Sequence, residues 1–198
     1  MSYAAETAFD TAARIAAGDD GTTYDKASIR LHWVTALLVV VQFGLAETWD
    51  YFDRPTQHSL QALHVSLGIA LAVVIVTRLV WRLMPSHEVE MIERGWVKFA
   101  SRSVHYLLYA LLVAEVGLGF LFRWAQGEPL SFFGLFAIPS PFGAFSRPAR
   151  HLLHSLHEYV GWAIVIIAFG HALAALYHHY VLKDRVLVRM LPRGAKQP

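Results

Sequence analysis

The chain contains no cysteine, which excludes disulfides, thiolate–zinc sites, iron–sulfur clusters, covalently attached c-type haem and cysteine nucleophiles. Charge is scarce as well. Only 16% of the 198 residues are Asp, Glu, Lys or Arg, against roughly 25% in an ordinary soluble domain. Nor is there a Walker loop, a Gly-rich dinucleotide turn after a strand, a GxSxG or an HExxH, so nucleotide and hydrolytic chemistry have no motif to stand on. The net charge of +2 rests on few residues and gives no reason to expect a nucleic-acid partner. What remains is a chain that is 56% hydrophobic with a mean hydropathy of +0.40, carrying 11 histidines. Many of these lie in or beside apolar runs, where an ionisable side chain is costly to keep.

Four apolar stretches, about Leu31–Thr48, Ser59–Leu83, Ser103–Trp124 and Glu158–Leu182, approach the ~20 residues a helix needs to cross the hydrocarbon layer. The fold expected is an all-α membrane protein, a bundle of four transmembrane helices. Residues 1–22 read as a mobile tail without the apolar core of a signal peptide, residues 23–192 as the bundle, and residues 193–198 as a C-terminal tail. Basic residues sort to one side. Arg14, Lys26, Arg30, Arg82, Arg94, Lys98, Arg102, Lys183, Arg185, Arg189, Arg193 and Lys196 fall at the tail, the second connection and the C-terminus; Arg54, Arg123, Arg147 and Arg150 fall opposite. Short loops rich in Lys and Arg stay inside, so both termini are expected in the cytoplasm. The outer connection from Ala125 to Arg150 is full of Gly, Pro and Phe and is expected to lie as an apolar loop in the interface.

His157 and His171 are 14 residues apart on the fourth stretch, which places them on nearly one face and ~21 Å apart along the axis. His64 begins the second stretch at the outer depth of His157, and His32 begins the first at the inner depth of His171. Depth therefore yields two pairs, His64 with His157 and His32 with His171. An imidazole pair facing across a bundle can fill both axial positions of a haem iron, so two pairs imply two stacked haems. Gly68 and Gly161 follow His64 and His157 by one turn on the same face; they make room for a flat macrocycle, or they are ordinary packing glycines. Arg78 shares the face of His64 at the inner depth, where it either meets a haem propionate or snorkels to the surface. Arg30 and Arg82 are weaker candidates for the same task.

Other groups stay open at this level. His105 competes with His32 as the inner ligand. His178, two turns past His171, either hydrogen-bonds a quinone oxygen and passes a proton or anchors the helix beside Tyr177 and Tyr180. His151, His154, Arg123, Arg147 and Arg150 form an outer basic patch that steers small anions or is simply solvated. Glu115 is a buried polar partner or a proton-handling group. No catalytic residue is assigned, and anionic lipid is a sufficient partner for the basic residues at the membrane ends.

These residues also carry a likeness. Tyr24-Asp25-Lys26 with Leu31-His32-Trp33, Leu63-His64-Val65-Ser66-Leu67-Gly68, Leu156-His157-Glu158, and Gly170-His171-Ala172 leading to His178-His179-Tyr180 resemble the bacterial cytochrome b561 family over about Tyr24 to Pro192. The resemblance implies a multi-pass, di-haem protein of the bacterial inner membrane, with His32/His171 on one iron and His64/His157 on the other. It further implies superoxide:quinone oxidoreductase activity, with superoxide oxidised at the periplasmic side and ubiquinone reduced. The alternative is a cytochrome b anchor subunit passing electrons from a partner dehydrogenase or hydrogenase to the quinone pool. The N-terminal tail departs from the compact family pattern and leaves room for a partner protein or a regulatory role.

Overall fold

A computed structural model describes residues 24–84 and 95–191; the two terminal tails expected from the sequence, and Arg14, Arg94, Arg193 and Lys196, lie outside these. Four helices dominate: α1 Lys26–Thr48, α2 Arg54–Leu83, α3 Gly95–Ala125 and α4 Arg147–Tyr177. All four are long and apolar enough to cross a membrane. Neighbours in sequence run antiparallel, with α1 packed along α2 and α3 along α4.

Each helix begins earlier than its apolar stretch. The expected starts were Leu31, Ser59, Ser103 and Glu158; the observed ones are Lys26, Arg54, Gly95 and Arg147. Polar start signals explain three of the shifts. Asp25 accepts the backbone N–H groups of Ala27 and Ser28, both at 2.9 Å, and Asp53-Arg54-Pro55 and Ser146-Arg147-Pro148 place proline in the first turn of α2 and α4, where its missing N–H costs nothing. Helices of 30 and 31 residues are about 45 Å long, so they project past a hydrocarbon layer of ~30 Å. Arg82, Lys98, Arg102, Arg123, Arg147 and Arg150 are therefore helical rather than in loops.

Apolar burial is concentrated at mid-depth. Leu71 and Ile75 of α2, Leu112 of α3 and Ile164 of α4 form the core, with Leu38, Val39, Leu79, Leu111, Val116 and Val160 against it. Ile164 stands midway between His157 and His171, so this cluster separates the two histidine levels. Outward-facing Leu37, Val40, Val73, Val76, Ile166 and Phe169 are exposed, the pattern of helices whose outer surface meets lipid rather than water.

The outer connection is not the irregular loop expected. It contains an antiparallel hairpin, β1 Leu130–Phe132 and β2 Phe136–Ile138, paired Leu130 to Ile138 and Phe132 to Phe136. Phe133 and Gly134 take positive φ, 48° and 72°, as a type I′ turn requires, and the Leu135 N–H closes it on the Phe132 carbonyl at 2.9 Å. The hairpin docks on α2 through Ser66, whose hydroxyl accepts the Phe133 N–H at 3.0 Å and lies 3.1 Å from the Ser131 carbonyl. Pairing the backbone in this way is what lets a polar chain sit against an apolar bundle.

The opposite end is stitched by contacts among the first and last described residues and the helix ends beside them. Trp33 donates its indole N–H to the Met190 carbonyl at 2.7 Å, Trp81 donates to Asp25 at 3.2 Å, and the guanidinium of buried Arg189 lies 5.8 Å from the Tyr24 ring centre.

Candidate functional site

His64 and His157 each stand ten residues beyond the first residue of their helices, Arg54 and Arg147, which enter from the hairpin end. His64 thus lies well inside α2 rather than at its start. His32 is six residues into α1 and His171 six residues before the end of α4, both at the terminal end. Equal counts from shared ends produce equal depths, and the side chains meet accordingly. The ring centres of His64 and His157 are 6.2 Å apart at an interplanar angle of 88°; those of His32 and His171 are 6.5 Å apart at 73°.

A metal–imidazole bond is about 2 Å long, so two rings sharing one metal have centres about 6 Å apart once their own half-widths are added. Both pairs fit that spacing. His105 also reaches the terminal-end level, but its ring centre is only 5.1 Å from that of His171, too close to admit a metal between them. Among the described residues no group of three or more His, Cys, Asp or Glu converges as a bare ion would require. Two imidazoles suffice only for an iron whose remaining positions are filled by its own macrocycle. His64 Nδ1 is buried with no hydrogen-bond partner.

The surroundings of the pairs differ. At the hairpin end, His157 Nδ1 lies 3.2 Å from the Glu115 carbonyl oxygen and 3.2 Å from Glu115 Oε1, the Gln42 amide donates to the His64 carbonyl at 3.0 Å, and Trp49 sits 5.3 Å from the His64 ring. At the terminal end, Arg78 Nη2 lies 3.0 Å from His32 Nδ1, with the guanidinium 5.1 Å from the Tyr109 ring centre. Arg78 therefore reaches the histidine level as its spacing suggested, while Arg30 is exposed at the start of α1. A Cβ at Gly68 would come to 3.2 Å of Gln42 Nε2 and one at Gly161 to 3.0 Å of Glu115 Oε1, so these glycines accommodate two polar side chains.

Two further groups lie near the membrane ends. Phe122, Gln126, Arg147, Arg150, His151 and His154 line an open pocket of about 280 Å³ at the hairpin end. Arg123 beside it faces Glu128 at 3.7 Å, and His154 lies 3.9 Å from Glu158, so the basic patch is partly offset by acid. At the other end α4 relaxes into a π-helical turn, His178–Leu182, and His178 Nδ1 meets Asp184 Oδ2 at 2.5 Å. Sequence reasoning missed Asp184 and the hairpin docking through Ser66; the Phe133-Gly134 turn was the available signal for the latter.

The family model of prokaryotic cytochrome b561 matches residues 23–193. The chain belongs to the prokaryotic cytochrome b561 family. It is 32% identical to "Cytochrome b561 homolog 2" of Escherichia coli (strain K12), over 87% of this chain and 93% of that protein. It is 30% identical to "Cytochrome b561 homolog 1" of the same strain, over 86% and 97%, and 30% identical to "Probable superoxide oxidase CybB" of Yersinia pestis, over 86% and 96%. As a cytochrome b561 family member the chain is a four-helix membrane electron-transfer protein of the oxidoreductase kind, and the family implies b-type haem.

Proposed function

We propose that this protein carries electrons through the bacterial inner membrane on two b-type haems, oxidising superoxide at the periplasmic face and reducing ubiquinone at the cytoplasmic face. The observation that carries the reading is the pair of imidazole spacings, 6.2 and 6.5 Å, at two depths. His64 and His157 are the proposed ligands at the hairpin end, His32 and His171 at the terminal end. A haem held by these imidazoles would supply one-electron chemistry.

The chain's own residues do the rest. The weight of Lys and Arg at the terminal end orients that end to the cytoplasm. Arg147, Arg150, His151 and His154 draw superoxide to the hairpin end by their field. Leu71, Ile75, Leu112 and Ile164 keep water from the space between the two levels. His178, in contact with Asp184, is the proposed proton donor to a quinone oxygen. Electrons balance when two superoxides each lose one, leaving dioxygen, and one ubiquinone takes both with two protons. Arg78 has a second task. Guanidinium only donates, so its present contact makes His32 Nδ1 an acceptor and puts the proton on Nε2. Arg78 would be one of the residues holding a bound haem, its guanidinium being within the terminal-end level and suited to an anion such as a propionate.

Stopped-flow mixing of the purified, haem-loaded chain with superoxide tests the donor. Rapid haem reduction that slows with added salt is expected; reduction that is slow, or insensitive to salt, overturns superoxide as the donor. If the haems instead fill only from a co-purifying dehydrogenase or hydrogenase, the chain is an anchor subunit.

A further inference from the structure

We infer that Glu115 is the positioning residue for His157, fixing the tautomer and plane of that ring and so tuning the haem held at the hairpin end. The inference rests on the ligand assignment proposed above. His157 Nδ1 lies 3.2 Å from two oxygens of one residue, the backbone carbonyl and Oε1 of Glu115. A ring nitrogen facing oxygens on both contacts carries its hydrogen there, and the neutral ring then keeps its lone pair on Nε2. That is the tautomer a ligand needs. Metal-bound histidines generally donate their second N–H to a carboxylate or carbonyl, which fixes the ring and raises its basicity. His64 has no such support, since its Nδ1 is buried without a partner. The orientation of the pair is thus set from the His157 side.

The neighbouring backbone is shaped around this contact. A Cβ at Gly119, one turn beyond Glu115 on α3, would come to 3.0 Å of His157 Cε1, and a Cβ at Gly161, one turn beyond His157 on α4, would come to 3.0 Å of Glu115 Oε1. Each glycine clears the space that the other helix's side chain fills. The Glu115 side chain is 18% exposed, and its Oε2 is buried with no hydrogen-bond partner. A carboxyl group within a span is expensive, and simple packing of α3 on α4 would be served by leucine. Its placement on Nδ1 gives the expense a purpose. Electron density accepted at Nδ1–H strengthens the donation of Nε2 to iron, which favours the oxidised state and lowers the reduction potential.

The test compares full-length parent, Glu115→Leu and Glu115→Gln by haemochrome assay, redox titration and low-temperature EPR. Leu removes the side-chain acceptor at similar volume, and Gln retains an oxygen. In Glu115→Leu one haem is expected to become about tenfold easier to reduce, 59 mV for one electron. Its low-spin EPR envelope, which reads the angle between imidazole planes, moves as well, and the other haem keeps both values. Glu115→Gln returns both signals toward the parent. Selective loss of one haem from Glu115→Leu also supports the role, because such partners are typically worth 10–100-fold in metal affinity. Unchanged signals in Glu115→Leu, or identical behaviour of the Leu and Gln variants, overturn it and leave Glu115 a packing residue. If Glu115→Leu does not fold, Gly161→Ala takes its place by pushing a methyl onto Oε1: a shift confined to the same haem supports the role, and an unmoved one overturns it. A parent with fewer than two haems overturns the ligand assignment itself, which the haemochrome assay reports before any variant is compared.

Discussion

The two histidine levels share a spacing and differ in polarity. Near the hairpin, Nδ1 of His157 faces oxygen atoms of Glu115; near the termini, Nδ1 of His32 faces the guanidinium of Arg78, with His105 close against His171. A ring Nδ1 meets acceptors at one level and a donor at the other. A cation beside a redox centre favours its reduced state, and an electron-donating ligand favours the oxidised one. Under the proposed haem assignment, the same imidazole clamp set in opposite surroundings is expected to make the hairpin-end centre the better donor and the terminal-end centre the better acceptor, the direction that the proposed superoxide-to-quinone route needs.

The most drastic way to separate the levels is to remove a ligand. His64→Ala is expected to halve the haem content while the His32/His171 spectrum persists; loss of both haems, or of neither, would break the pairing by depth. Next in size is Arg78→Leu, which removes the donor setting. The terminal-end haem is expected to become about tenfold harder to reduce, 59 mV in a redox titration, with the hairpin-end haem unmoved. Neutralising Arg147 and Arg150 together to Gln should lower the superoxide rate constant about tenfold at low ionic strength, with parent and variant converging at high salt as screening removes the field. Ser66→Ala, which leaves the Phe133 N–H without its acceptor, is expected to cost about 1–3 kcal/mol of stability at the hairpin, read by denaturation in mild detergent.

The smallest effect concerns Asp25 at the other end. Burial pushes its carboxyl up, but hydrogen bonds from the Ser28 hydroxyl and amide, from Trp81 and from the Ala27 amide outweigh this and hold it below the ordinary 3.8. A carboxyl depressed in the folded state contributes stability above its unfolded value and loses it as pH falls through the folded one. Asp25→Ala should cost about 1 kcal/mol near neutrality, as other N-cap losses do, and the gap from the parent should close on acidification below 3.8.

Much of this was legible in the sequence because membrane helices are written in composition. Runs of apolar residues near span length fix four helices, antiparallel order follows because successive spans cross the layer in opposite directions, and a 14-residue spacing on a 3.6-residue helix fixes a face and two depths. His32, His64, His157 and His171 could be paired on that basis, and their rings do meet as pairs. What escaped was governed by polar detail. Helix starts were misplaced because the Asp25 cap and the first-turn prolines Pro55 and Pro148 lie in the polar zone beyond the apolar run, where hydropathy carries no signal. The hairpin was hidden because three-residue strands rich in Phe look like interfacial loop, and only the positive φ at Phe133 and Gly134 betrays the turn. The Glu115–His157 contact joins α3 to α4, and the His178–Asp184 contact forms at the π-helical end of α4. Neither contact is written in a local pattern, since each arises only once the chain has folded back.

The central claim is that four imidazoles from α1, α2 and α4 hold two haems. It is tested most directly by pyridine haemochrome quantification of full-length protein purified from haem-replete cells, against polypeptide measured by amino-acid analysis. Two b-type haems per chain are expected. A ratio of one or zero would contradict the account.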